Sequence, residues 1–193
     1  MSDAHRIGVL SVGNVLMGDD GIGPFILKIL ESRYEFPPCI TLLDLGTPGL
    51  GITSFFADYD AIILIDAVNA KSEAGDVHLY RKDQLVRVPV SHRVSPHDPA
   101  LVEALLFSEL SGQCPRDVLL VGIVPATVEL GCAISDRVRD SVVPATAAIL
   151  SELARLGAEP CLRECELTPS IWWQENVSSS CPAEEDHVPG NPR

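Results

Sequence analysis

Short, mostly apolar runs alternate along this chain with stretches whose apolar residues recur at helical spacing. Residues 6–12, 39–45, 61–66 and 117–124 are such runs. Each is bounded by turn-forming or charged residues and is short for a helix, so each reads as a strand. Within 61–66, AIILID, four consecutive Ile and Leu residues precede an acid, and 117–124, DVLLVGIV, is similarly apolar. Runs without alternation imply burial on both faces, as in the centre of a parallel sheet. Residues 76–81, DVHLYR, alternate instead and predict a half-exposed strand. A last short strand is expected near 160–163.

Between these runs the period changes. From Gly21 onward, Ile22, Phe25, Ile26, Ile29 and Leu30 fall on one helical face. A short helical stretch is expected from the turn at Gly46-Thr47-Pro48-Gly49 to about Ala57. Asp98 followed by Pro99 is a strong helix start, because an acid caps exposed N–H groups and proline suits the first helical position. That helix should run to about Leu110. Ser135 or Asp136 opens a long helix with Val138, Val142, Ala145, Ile149, Leu153 and Leu156 on one face. Pro144 lies inside it and should kink or divide it. Gly157 is the expected C-terminal cap.

Strands alternating with helices predict an α/β fold: a three-layer, doubly wound, mostly parallel twisted sheet with helices on both faces. Residues 1–165 suit a single domain. From about Glu166 the chain turns rich in proline, serine and acids, so 166–193 are expected to be a disordered acidic tail. Both tryptophans, Trp172 and Trp173, lie in it, and we expect Ile171-Trp172-Trp173 to fold back onto a groove of the domain.

Composition narrows the partners. With 14 basic against 27 acidic residues, the net charge is −13. Nucleic acid and anionic membranes require basic patches, which argues against both. No apolar run approaches the roughly 18 residues of a membrane span, and no signal peptide precedes the first strand, so a cytoplasmic protein is expected. Its 6 cysteines should then be mostly free thiols.

The stretch from Val9 to Gly23, VLSVGNVLMGDDGIG, concentrates the candidate chemistry. A strand ends at Gly13-Asn14, two acids follow, and a helix begins. In open α/β sheets such a junction lies at the carboxyl edge where ligands bind. The strand 61–66 ends on Asp66 at the same edge. If those strands are neighbours, about 4.8 Å apart, Asp20 and Asp66 can reach one ion or one water. His97 precedes a helix and can face the same edge. Two carboxylates and an imidazole suit a divalent transition metal such as zinc or nickel. By spacing alone, Asp66 reads equally well as a turn cap, Asp19 and Asp20 as helix caps, and His97 as a polar loop residue. A nucleotide is disfavoured. Of the dinucleotide fingerprint's glycines only Gly13 is in register, the phosphate-loop lysine is absent, and the two acids would repel phosphate.

GNVLMGDDGIG closely resembles the G-N-x-L-x-x-D-[DE]-G-x-G signature of the nickel–iron hydrogenase maturation proteases. Further pieces come in that family's order: Asp44 with the Gly46-Thr47-Pro48-Gly49 turn, Ile65-Asp66-Ala67, Ser95-Pro96-His97 and Gly122-Ile123-Val124-Pro125. The resemblance spans roughly residues 6–157. It implies a cytoplasmic endopeptidase that removes the C-terminal extension of the hydrogenase large-subunit precursor after nickel insertion. It places the three metal-contacting, catalytic positions on Asp20, Asp66 and His97. The metal is read as nickel, that of the substrate's own active site, in preference to a catalytic metal of the protein's own as in a zinc peptidase, because no H-E-x-x-H helix or closed ligand set appears. No nucleotide is implied. A metal-dependent checkpoint that binds the loaded subunit without cutting it would use the same residues. Ser11 stands where the family usually has glycine, and the tail from 166 has no counterpart in the resemblance.

Overall fold

The computed structural model describes residues 5–87 and 98–175. In chain order these form β1 (Ile7–Ser11), a 3-10 turn at Gly18–Gly21, α1 (Ile22–Arg33), β2 (Tyr34–Glu35) and β3 (Ile40–Asp44). A second 3-10 turn, Gly49–Ile52, leads into α2 (Thr53–Phe56), then β4 (Ala61–Ala67), β5 (Val77–Arg81) and α3 (Lys82–Arg87). There follow α4 (Asp98–Leu110), β6 (Asp117–Ile123), α5 (Asp136–Asp140), α6 (Val142–Arg155), β7 (Cys161–Leu162) and α7 (Trp172–Glu175).

The main sheet has the order β3-β1-β4-β6-β5. Four strands are parallel, and β5 closes one edge antiparallel to β6. The half-exposed pattern of residues 76–81 fits that edge position. β2 and β7 pair separately as a small antiparallel ribbon. The expected three-layer architecture is what the strand faces create. Ile7, Val9, Ile63, Ile65, Leu119 and Val121 point to one side, where α1 and α6 pack. Leu10, Ile62, Leu64, Val118 and Leu120 point to the other, against α2, α3 and α4. The unalternating runs were therefore strands with a core on each face.

The chain leaves β1 towards β3 on one side and returns to β4 on the other. This reversal makes β1 and β4 neighbours, in the register Ile7↔Ala61 through Ser11↔Ile65. It opens the crevice at their carboxyl ends that such folds use for ligands.

The long helix expected from Ser135 is divided at Ser141, between α5 and α6. Pro144 has no N–H and its ring collides with the carbonyl four residues back, at Asp140, so the break falls one turn before it. At its far end, Gly157 (φ 76°) donates to the Ala154 carbonyl and Ala158 N–H reaches that of Leu153, closing a Schellman cap.

Disorder from residue 166 does not hold for the first part of that segment. Arg33 pairs with Glu166, the Leu167 N–H donates to the Ser32 carbonyl, and α7 lies on the domain. Trp173 is buried in the core layer of α1 and α6 while Trp172 stays exposed, as the fold-back of Ile171-Trp172-Trp173 requires. Apolar area in a proline-rich segment outweighed its polar composition. Residues 176–193 lie outside the described residues.

Candidate functional site

The site is built around the end of β1. Val12 N–H continues the ladder to the Ile65 carbonyl (2.9 Å), and Gly13 N–H bonds the Gly46 carbonyl (2.9 Å). The chain then turns sharply. Asn14 Oδ1 accepts the Leu16 N–H (3.0 Å), an Asx turn, and the Met17 and Asp20 N–H groups close two further turns on Asn14 and Met17. Gly13 has φ 136°, and a Cβ there would sit 2.0 Å from the Asp20 carbonyl oxygen, so only glycine fits.

This winding brings Asp20 back over the strand end. Its side chain is buried, and Oδ2 accepts the Asn14 N–H at 2.7 Å. Gly23 then lets α1 press directly on the sheet. A Cβ at Gly23 would lie 2.5 Å from the Val12 carbonyl oxygen and 2.6 Å from that of Ile65. The first turn of α1 therefore sits over the ends of β1 and β4, three residues after Asp20 and next to Asp66.

Asp66 lies on β4 in register with Gly122 of β6 and is also buried. It borders an apolar cleft of about 330 Å³ shared with Val12, Pro48, Ile52, Leu64 and Leu101. Two buried carboxylates thus lie at the carboxyl ends of adjacent strands, Asp20 tied to the end of β1 through Asn14 and Asp66 at the end of β4. His97 lies outside the described residues. Among the described residues no three His, Cys, Asp or Glu side chains are grouped to hold a metal ion.

Asp19 differs from expectation. The sequence suggests a cap for α1, but the residue capping that helix is Gly21, with no side-chain bond. Asp19 is fully buried and faces the other way. Its Oδ2 accepts the N–H groups of Ala126 (2.9 Å) and Thr127 (3.1 Å) and the Ser135 hydroxyl (2.9 Å), and Oδ1 accepts the Ser135 N–H (2.7 Å). Its own N–H donates to the Thr127 carbonyl (3.0 Å). Asp19 therefore clamps the loop between β6 and α5 to the turn that carries Asp20. Nothing local in the sequence signals partners more than a hundred residues away.

Ser11 is buried at the same edge, and its hydroxyl donates to Asp44 Oδ1 (2.9 Å), which also accepts the Gly46 N–H (3.1 Å). The serine thus ties the end of β1 to the end of β3 and to the Gly46–Gly49 turn. Its role is to hold the crevice wall.

A doubly wound scaffold with two buried aspartates near its reversal point defines a class of site rather than one reaction. Comparison with known proteins narrows it. The sequence model of the hydrogenase maturation protease family matches residues 24–152. The chain is 33% identical over 159 residues to the hydrogenase 2 maturation protease of Escherichia coli, covering 82% of this chain and 97% of that one. It is 32% identical over 184 residues to the hydrogenase expression/formation protein HupM of Azotobacter chroococcum, covering 93% and 88%. The structure of the hydrogenase maturating endopeptidase HybD from E. coli superposes with a TM-score of 0.75 at 31% identity, covering 82% of this chain and 98% of that one. The chain belongs to the hydrogenase maturation protease family. It is a hydrolase of peptide bonds.

Proposed function

We propose that this protein removes the C-terminal extension of a nickel–iron hydrogenase large-subunit precursor once nickel has been inserted. The observation that carries the reading is the burial of both Asp20 and Asp66 at the carboxyl ends of two neighbouring strands, with Asp66 on the wall of a cleft. His97 directly precedes α4, whose Leu101 borders the same cleft as Asp66. Carboxylate oxygens and an imidazole nitrogen are donors that a borderline divalent ion such as nickel accepts.

In this reading the nickel belongs to the substrate. Asp20, Asp66 and His97 contact the ion already seated in the precursor, and the grip places the scissile peptide in the crevice. The attacking water is activated there, by a carboxylate taking its proton or by the ion lowering its pKa. The Asn14 N–H bonded to Asp20 Oδ2 orients that carboxylate without neutralising it. Work in the cytoplasm accords with the free thiols of Cys39, Cys114, Cys132, Cys161 and Cys165. No helix among the described residues is long and apolar enough to cross a membrane.

The test is to incubate the protein with nickel-loaded large-subunit precursor and weigh the precursor by mass spectrometry. Loss of a short C-terminal peptide is expected. An unchanged mass despite a stable complex would leave a binding protein, and the proposed reaction would be wrong.

A further inference from the structure

The clamp on Asp19 has a second product. Past the end of β4, the Val68 N–H makes a last ladder bond to the Ile123 carbonyl (2.8 Å), and the two chains then diverge. Between them opens a groove of about 610 Å³, lined by Asn69 and residues 124–128. It begins three residues beyond Asp66 on the same strand end. Its floor and walls are Val124, Pro125, Ala126 and Val128, and the amide of Asn69 is a polar handle able to donate to and accept from a peptide group.

One wall of this groove is fixed. The Ala126 and Thr127 N–H groups end on the buried Asp19 carboxylate, and further along the loop the Gly131 N–H donates to the Leu16 carbonyl (2.9 Å) while Gly18 N–H donates to that of Gly131 (2.6 Å). The two loops so joined hold out Leu16, Val128 and Leu130, with relative exposures of 48%, 42% and 86%. Aliphatic side chains held in water by a hydrogen-bonded loop, on the edge of the sheet that carries Asp66, mark a contact surface. A preformed wall also lowers the ordering cost of binding.

We propose that this groove and its aliphatic rim seat an extended, apolar segment of the protein substrate next to the bond that is cut. The inference rests on the processing activity proposed above and adds where the substrate chain runs. The occupant is argued from placement: Asp66 pairs with Gly122, the groove's Asn69 and Val124 lie three and two residues past that pair, and its lining carries no charge, which suits an extended apolar stretch of a chain held at Asp66.

The test measures KM and kcat for nickel-loaded precursor with the wild type, Val128→Glu, Leu130→Glu and Leu130→Met. Leu162→Glu, exposed on β7, is the control for an added charge. All substituted side chains are exposed, and thermal melting checks each fold. The two rim glutamates are expected to raise KM by about tenfold or more with kcat within about twofold, because lost uniform binding appears in KM. Leu130→Met and Leu162→Glu should keep the wild-type KM. Wild-type KM in both rim glutamates, with the wild type cutting normally, overturns the groove assignment alone. A wild type that binds but does not cut overturns the processing reading, and the groove inference with it.

Discussion

Two adjacent aspartates of the same loop carry different tasks, and the difference lies in what their oxygens meet. Asp20 Oδ2 meets the Asn14 N–H at the end of β1. Asp19 meets the loop from Ala126 to Ser135. Replacing Asp19 by Ala would leave three backbone N–H groups and a hydroxyl without their acceptor, at about 1–3 kcal/mol for each group that stays dry. The expected outcome is a lower melting temperature together with weaker precursor processing. Asp19→Asn, which keeps one acceptor oxygen, should fall between. A wild-type melting curve for Asp19→Ala would show that the clamp contributes nothing. The place of Asp66 in the fold was legible, because it follows from where β4 ends, whereas Asp20 sits in a 3-10 turn well past the end of β1. The clamp was illegible, because its partners are set by the tertiary fold and its residue type is also what a helix cap uses.

Among the elements, the edge strand β5 depends on one carboxylate. Glu152 of α6 is only 4% exposed and lies between two guanidinium groups. Arg81 on β5 approaches it bidentately, with Nη2 donating to Oε2 at 2.7 Å, and Arg155 donates through Nε (3.0 Å) and Nη2 (2.8 Å). Arg155 also reaches Asp117 at the start of β6 (2.6 Å), so the cluster joins β5, β6 and α6. Burial pushes the Glu152 pKa up, and the hydrogen bonds from Arg81 and Arg155 outweigh it, leaving the value at about 2. The folded value lies below the unfolded one, about 4.3 for a free glutamate. Its stabilisation is therefore complete above the unfolded value and is lost as pH falls from about 4.3 through about 2. Discounted for the half-exposed arginines, the contribution is about 2 kcal/mol. Denaturant titrations at pH 6 and pH 3 are expected to differ less for Glu152→Gln than for the wild type. An equal acid response in both would remove this residue from the acid sensitivity.

The tail behaves as a strap at the same scale. Trp173 fills part of the α1–α6 core layer, and the Gln174 side chain donates to the Cys132 carbonyl (3.1 Å). Trp173→Ala should cost about 3–5 kcal/mol, as for a buried aromatic truncated to a cavity. Chemical denaturation checks this, and a loss below about 1 kcal/mol would show that the indole is dispensable. Sequence reading placed the tryptophans against the domain yet began disorder at residue 166. Composition averages over a segment, whereas one large apolar side chain decides where the segment stops being free. The division of the last long helix was readable from Pro144 because proline acts locally.

For the molecule as a whole, the strand runs and the three-layer, mostly parallel sheet were legible because each follows from short-range pattern plus the rules of parallel sheets. The position of the β6–α5 loop and the groove it forms was not, since no periodicity describes a loop held by long-range bonds. The central claim is that Asp20, Asp66 and His97 grip the nickel of the precursor and so couple cutting to metal loading. The most direct measurement compares nickel-loaded and nickel-free precursor by mass after incubation with the wild type, Asp66→Asn and His97→Ala. Loss of the C-terminal peptide is expected only when the wild type meets the loaded precursor. Equal cutting of the nickel-free precursor by the wild type, or wild-type cutting by Asp66→Asn, would contradict the metal grip.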